Sequence, residues 1–329
     1  MSALGPTLEA FFVERLIAQR RASPHTIAAY RDTFCLLLGF IQQETGKAPA
    51  ALRFEDVEAP LIGAFLDHLE RDRGNSVRTR NARLSAVHSL FRFAALRHPE
   101  HAGLIGRVLA IPPKRFERRI VSFLADDEVE ALLQAPDPAT FLGRRDHALL
   151  LVAIQTGLRV SELTALTRGD VAFGTGACVR CTGKGRKERA TPLTTTTATV
   201  LGAWLGERAG APTDPLFPTR QGQALSRYGV TLLVTKHAQA AAKSCPSLEN
   251  KKVSPHVLRH TAAMRLLHAG VDTSVIALWL GHEGLETTQI YVHADLSLKE
   301  RALGRTTPIG TEPGRYRPPD GLLAFLERL

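Results

Sequence analysis

Arg159, Lys184, His256, Arg259, His282 and Tyr291 form a set whose side chains could together carry out displacement at phosphorus. They stand in the segments TGLRVSEL, TGKGRKER, HVLRH and LGHEGLETTQIY. A phosphodiester under attack passes through a five-coordinate phosphorus whose non-bridging oxygens carry the negative charge, so preorganised donors aimed at them lower the barrier. Arg159 and Arg259 suit that task, because a guanidinium is planar, stays charged and grips two oxygens at once. His256 and His282 can add hydrogen bonds to the same oxygens, and either could accept a proton near neutral pH. Tyr291 is the nucleophile in this set. A phenol with a pKa of about 10 is mostly protonated at pH 7, so proton removal must accompany its attack. Lys184 suits protonation of the departing 5′ oxygen, because a lysine whose pKa is lowered by neighbouring cations can donate a proton. This chemistry requires no metal and no cofactor.

The elements that must position these groups are legible in the spacing. SPHVLRHTAAMRLLHAG predicts a helix that starts after Ser254 and Pro255 and stops at Gly270, with Leu258, Ala262 and Leu266 as its buried stripe. His256 and Arg259 are three apart, so they share one face of its first turn, near the positive end of the helix dipole. DTSVIALWLGH predicts a short helix ending at Gly281, with His282 just past its end. RRDHALLLVAIQTG predicts a buried helix ending at Gly157, after which Arg159 opens the next segment. ACVRCTGKGRKERATPL predicts two short strands joined by a Gly-Lys-Gly-Arg turn, with Lys184 at a mobile hairpin tip.

The order Arg, Lys, His-x-x-Arg, His, Tyr in these motifs resembles the tyrosine recombinase, or phage integrase, family, and the two-domain layout resembles its Xer-like members. The resemblance is specific over most of residues 119–300 and only general in pattern before them. It implies a site-specific recombinase that cleaves and rejoins DNA through a 3′-phosphotyrosine, in integration, excision or transposition of a mobile element. Xer-type dimer resolution is the alternative. It also implies a fold that is mainly α with a small antiparallel β-sheet in the catalytic domain, the two domains closing on DNA as a C-shaped clamp. The implied partners are double-stranded DNA recombination sites, held as a homotetramer on synapsed DNA, alone or with a related recombinase.

The same residues admit other readings. His256 and His260 have helical metal-site spacing, and Cys178 and Cys181 form a C-x-x-C. The two pairs are far apart for a zinc finger, no second C-x-x-C exists, and the cysteines fall on a predicted strand, so no metal is expected. His260 is read as a residue supporting the catalytic groups, and Glu162 as one that orients or caps. Tyr30 belongs to an apolar helical stripe, and Tyr228 and Tyr316 lie beside no donor cluster. A type IB topoisomerase would share the chemistry but act as a monomer with little sequence preference. A non-catalytic DNA-binding relative would bind specific sites without forming an adduct, and the complete catalytic set argues against it.

The 329 residues suffice for two domains, and 44% hydrophobic content is ordinary for a soluble protein. A net charge of +10 points to a polyanionic partner. The sequence has neither a long apolar run nor a signal-type N-terminus, so no membrane partner is expected and the location is cytoplasmic, at the nucleoid. The four cysteines read as reduced thiols, Cys35 in a helix core and Cys245 in a loop.

Residues 1–103 read as a helical DNA-binding domain. SPHTIAAYRDTFCLLLGFI places Ile27, Tyr30, Phe34, Leu37, Leu38 and Ile41 on one face of a helix begun by Ser23 and Pro24. In NSVRTRNARLSAVHSLFRFAALR, Leu84, Val87, Phe91 and Ala94 should bury while Arg78, Arg80 and Arg83 stay outside to meet phosphates. Residues 104–118 read as a basic interdomain linker, broken at Pro112 and Pro113, with Lys114 and Arg115 along the DNA backbone. The catalytic domain is placed at 119–303. Residues 304–329 read as an extended tail ending in a short apolar helix, marginal by itself, which either folds back on its own domain or, the favoured reading, docks on a neighbouring protomer as C-terminal helices do in related recombinases.

Overall fold

A computed structural model describes residues 3–116, 121–183 and 188–281, together with Thr288 and Tyr291. Lys184, His282, Tyr316 and the tail at 304–329 lie outside the described residues. The chain divides into two compact units, Met1–Arg118 and Arg119–Leu329.

The first unit is helical. Its α1 (Leu4–Ala10) runs into a π-helical stretch over Phe11–Gln19, followed by α2 (Pro24–Thr45), α3 (Ala59–Arg71), α4 (Val77–Ala95) and α5 (Ala102–Leu109). Ser23 and Ser76 cap α2 and α4, each hydroxyl accepting from a backbone N–H three residues on. Phe11, Phe34, Ile41, Phe65, Leu69 and Phe91 fill the core. Three expectations change here. Residues 104–109, read as linker, belong to α5, whose Leu104, Ile105 and Val108 enter this core. Cys35 is exposed rather than in the helix core, because it falls beside the stripe set by Phe34, Leu37 and Ile41. Arg80 is buried at 5% exposure instead of standing outside. Its guanidinium donates to Pro112 O and to Asn81 Oδ1, at 3.3 and 3.1 Å.

Asn81 extends the same fixation. Its amide donates to Lys114 O at 2.8 Å and its carbonyl accepts from Lys114 N at 3.0 Å, so the chain after α5 is pinned along α4. Lys114 Nζ is paired with Glu70. Arg78 is exposed with its guanidinium over the Phe116 ring, Arg83 is half-buried, and Arg115 is exposed.

In the second unit, α6 (Asp126–Gln134), α7 (Phe141–Thr156) and α8 (Val160–Ala165) precede a three-stranded antiparallel sheet. The strands β1 (Val171–Ala172), β2 (Cys178–Thr182) and β3 (Glu188–Pro192) lie in that order. Then come α9 (Thr195–Gly206), α10 (Arg227–Ala241), α11 (Pro255–His268) and α12 (Thr273–Leu280). The near-continuous apolar run of α7 explains its central place: Ala148, Leu149, Leu150 and Val152 are buried, together with Val179 of β2 and Leu258 of α11. Strand alternation turns Cys178 and Cys181 to opposite faces of β2. The described part of this unit is thus mainly α with the small antiparallel sheet expected. Among the described residues, no helix is long and apolar enough to cross a membrane.

Candidate active site

Two helices end where the site begins. Gly157 closes α7 and Gly281 closes α12, both left-handed with φ of 63°. This conformation favours glycine, and it leaves the last carbonyls of each helix open to outside donors. Arginines fill those places. Arg259 donates from Nη1 to Gly157 O at 2.6 Å and from Nη2 to Leu280 O at 2.8 Å. Arg159 donates from Nη2 to Gly281 O at 2.9 Å. Two cations therefore sit at the negative ends of two helix dipoles, a favourable position. Trp279 Nε1 donates to Thr156 O at 3.1 Å, tying α12 to the end of α7.

Glu162 organises the opposite side. It is buried in α8 and accepts from the Arg159 backbone N–H at 2.7 Å and from Arg159 Nη1 at 2.9 Å. The orienting role expected of Glu162 thus has a definite geometry. Arg189 of β3 adds a two-pronged bond to the same carboxylate, at 3.0 and 2.8 Å. These guanidiniums hold the Glu162 carboxyl below its ordinary range against the opposing effect of burial.

Arg189 was missed from the sequence. It faces inward because β3 pairs antiparallel with β2, placing Arg189 opposite the buried Cys181. A cation at an inward position of a short strand, two residues before buried Thr191, was the available signal. Lys184, which falls between β2 and β3 in the sequence, and His282, which follows Gly281, lie outside the described residues.

Helix α11 supplies the remaining groups. Ser254 caps it, with Pro255 in its first turn, as the sequence indicated. Arg259 is 4% exposed. Burial, then the nearby Arg159, brings its guanidinium down to about 10, so it remains charged at neutral pH. His256 is open to solvent, yet enough protein surrounds its ring that desolvation, then Arg259 and Arg159, holds it below the usual histidine value. Its ring centre lies 4.1 Å from that of His260.

Tyr291 is 2% exposed and packs with Ala263, Met264 and Leu267 of α11 and with Ile276 and Leu280 of α12. Its Oη shares a hydrogen bond of 3.0 Å with His260 Nδ1. Burial raises its phenol above the ordinary value, while Arg259 and Arg159 oppose the rise. The structure therefore brings Arg159, Glu162, Arg189, Arg259, His260 and Tyr291 into one cationic setting around a buried phenol. Such an arrangement can hold an anion beside a nucleophile whose proton must leave as it reacts.

Comparison with known proteins agrees. Residues 122–297 match the Phage integrase family, and residues 10–98 match the Phage integrase, N-terminal SAM-like domain. The chain is 57% identical over 328 residues to the integrase/recombinase-type protein y4rC of Sinorhizobium fredii, covering 100% of this chain and 99% of that one. It is 34% identical over 304 residues to tyrosine recombinase XerC of Pelobacter propionicus, covering 91% and 94%. Its fold is similar to the Tn1549 transposon integrase in complex with transposon right end DNA, at TM-score 0.70 and 16% identity, covering 90% and 98%. The XerH recombinase bound to palindromic difH substrate shares the fold at TM-score 0.66 and 22% identity, covering 87% and 81%. The chain belongs to the phage integrase family of tyrosine recombinases.

Proposed function

We propose that the protein is a site-specific recombinase of mobile DNA, which cleaves each strand with Tyr291 to give a 3′-phosphotyrosine and a free 5′ hydroxyl. The observation that carries this reading is the pair Arg159 and Arg259, held by the Gly-capped ends of two helices within the electrostatic reach of the Tyr291 phenol. In this role the arginines grip the scissile phosphate, His256 and His282 add hydrogen bonds to it, and Lys184 protonates the 5′ oxygen. Attack by the partner strand's hydroxyl then rejoins the DNA. The phosphotyrosine conserves the bond energy, so rejoining draws on no nucleotide.

The proposed partners are double-stranded recombination sites, synapsed by a homotetramer in the cytoplasm at the nucleoid. Arg78, Arg83, Lys114 and Arg115 are assigned to the phosphate backbone. The basic net charge of +10 supports a polyanionic partner. The high identity to the integrase/recombinase-type y4rC favours mobility of an element, and the resemblance to XerC keeps dimer resolution as the second reading.

The test is covalent trapping in EDTA on a supercoiled plasmid carrying the gene's own flanking DNA. Wild type should form an adduct and Tyr291→Phe should form none. Specific binding without adduct by wild type would point instead to a non-catalytic DNA-binding relative.

A further inference from the structure

The family motifs direct attention to His256 and His282 for the tyrosine's proton, but another imidazole touches the oxygen. His260 Nδ1 lies 3.0 Å from Tyr291 Oη, and the two rings meet edge to face with centres 5.4 Å apart. Both side chains are buried, His260 at 8% and Tyr291 at 2% exposure. His256 packs against the His260 ring and is itself exposed, so the contacts run from the phenol through His260 to a solvent-facing imidazole.

Resting on the recombinase reading above, we propose that His260 is a catalytic residue, the base that takes the phenolic proton of Tyr291 as its oxygen attacks phosphorus. Before attack, the phenol O–H donates to the Nδ1 lone pair and Nε2 carries the ring hydrogen. In the step itself the proton passes to Nδ1 and an Oη lone pair forms the O–P bond. The P–O5′ bond breaks with its electron pair on the 5′ oxygen, which takes a proton from Lys184. Rejoining reverses the path, and the departing Oη recovers its proton from His260.

The surroundings suit this task. A phenol of ordinary pKa about 10 is ionised to only about one part in 10³ at pH 7, and burial lowers that fraction for Tyr291. A base already within hydrogen-bonding reach is therefore required.

The test uses the full chain and the flanking-sequence duplex, made with either ordinary oxygen or a bridging sulfur at the 5′ position of the cleaved bond. Sulfur leaves without a proton, so it bypasses the acid and leaves the base still needed. His260→Asn keeps a polar group near the place of Nδ1, and His260→Ala removes it. Both should slow adduct formation by on the order of 10²–10⁴-fold on both substrates, whereas Lys184→Ala should recover on sulfur. Recovery of the His260 variants on sulfur, or a near-normal rate for His260→Asn, would overturn the assignment. Imidazole nitrogen NMR of the DNA-free protein, with His260→Asn identifying the signal, should show Nδ1 bare and Nε2 protonated. A protonated Nδ1 would also overturn it, and this readout stands even if wild type forms no adduct with the chosen DNA.

Discussion

Arg259 and Arg159 differ in what holds them. Arg259 is almost fully buried and bonded to two backbone carbonyls, while Arg159 is half-open and shares Glu162 with Arg189. Arg259→Lys loses the planar fork that spans Gly157 O and Leu280 O. Cleavage should fall by on the order of 10²-fold or more, by analogy with single oxyanion donors, and single-turnover adduct formation measures it. Near-normal cleavage by this variant or by Arg159→Ala would remove the arginines from the reaction. Glu162 gives a pH dependence of definite sign. Its folded pKa lies below the ordinary value of 4.5, so its contribution is present above that value and disappears as pH falls through the folded one. Glu162→Gln should therefore lower the melting temperature at neutral pH and flatten its decline below about pH 4.5, and an unchanged acid limb would contradict this. Motif spacing made Arg159, Arg259 and Tyr291 legible, because each stands at a recognisable helix boundary or motif. Spacing could not reveal the bond between His260 and Tyr291, since it depends on the chain returning to α11 after thirty residues. Nor could it reveal that Arg189 shares the Glu162 carboxylate with Arg159, which requires β3 to pack beside α8.

At the scale of elements, the site depends on two helices stopping in the right places. A Cβ at Gly157 would stand 2.6 Å from Leu280 Cδ2, and one at Gly281 would stand 2.6 Å from Arg189 Nη1. Gly281→Ala adds left-handed strain to the displacement of Arg189. It should destabilise the protein by about 1–3 kcal/mol and slow cleavage more than Gly270→Ala, whose added methyl meets open space despite its φ of 81°. Thermal melts and adduct rates of the two variants, measured side by side, check this; equal cleavage defects would separate Arg189 from function. The stops themselves were readable, because Ser254 with Pro255 and the glycines at 157 and 281 are chain signals with local causes. The errors arose where tertiary contacts decide. Leu104, Ile105 and Val108 have helical spacing, but the prolines after them drew the boundary too early. The pattern of α4 marks which stem turns inward, and it carries no sign that the Arg80 guanidinium meets Pro112 O.

For the whole molecule, a net charge of +10 distributed over two units makes the proposed DNA affinity a salt-dependent quantity. Each phosphate neutralised releases condensed counterions, and the slope of log K against log salt changes by about 0.9 per contact. Not every arginine contributes. Arg78 is exposed and carries its guanidinium over Phe116, whereas Arg80 is buried against Pro112 O and Asn81. Arg78→Ala should therefore reduce the slope by about one contact and leave the melting temperature nearly unchanged. Arg80→Ala should do the reverse, because it removes the donor to Pro112 O and loosens the segment pinned along α4, at a cost of about 1–3 kcal/mol. Fluorescence anisotropy on the flanking duplex across a salt series, paired with thermal melts, separates the two effects. An equal loss of slope in both variants would mean that Arg80 leaves its buried place to reach the DNA, so that the first unit rearranges on binding.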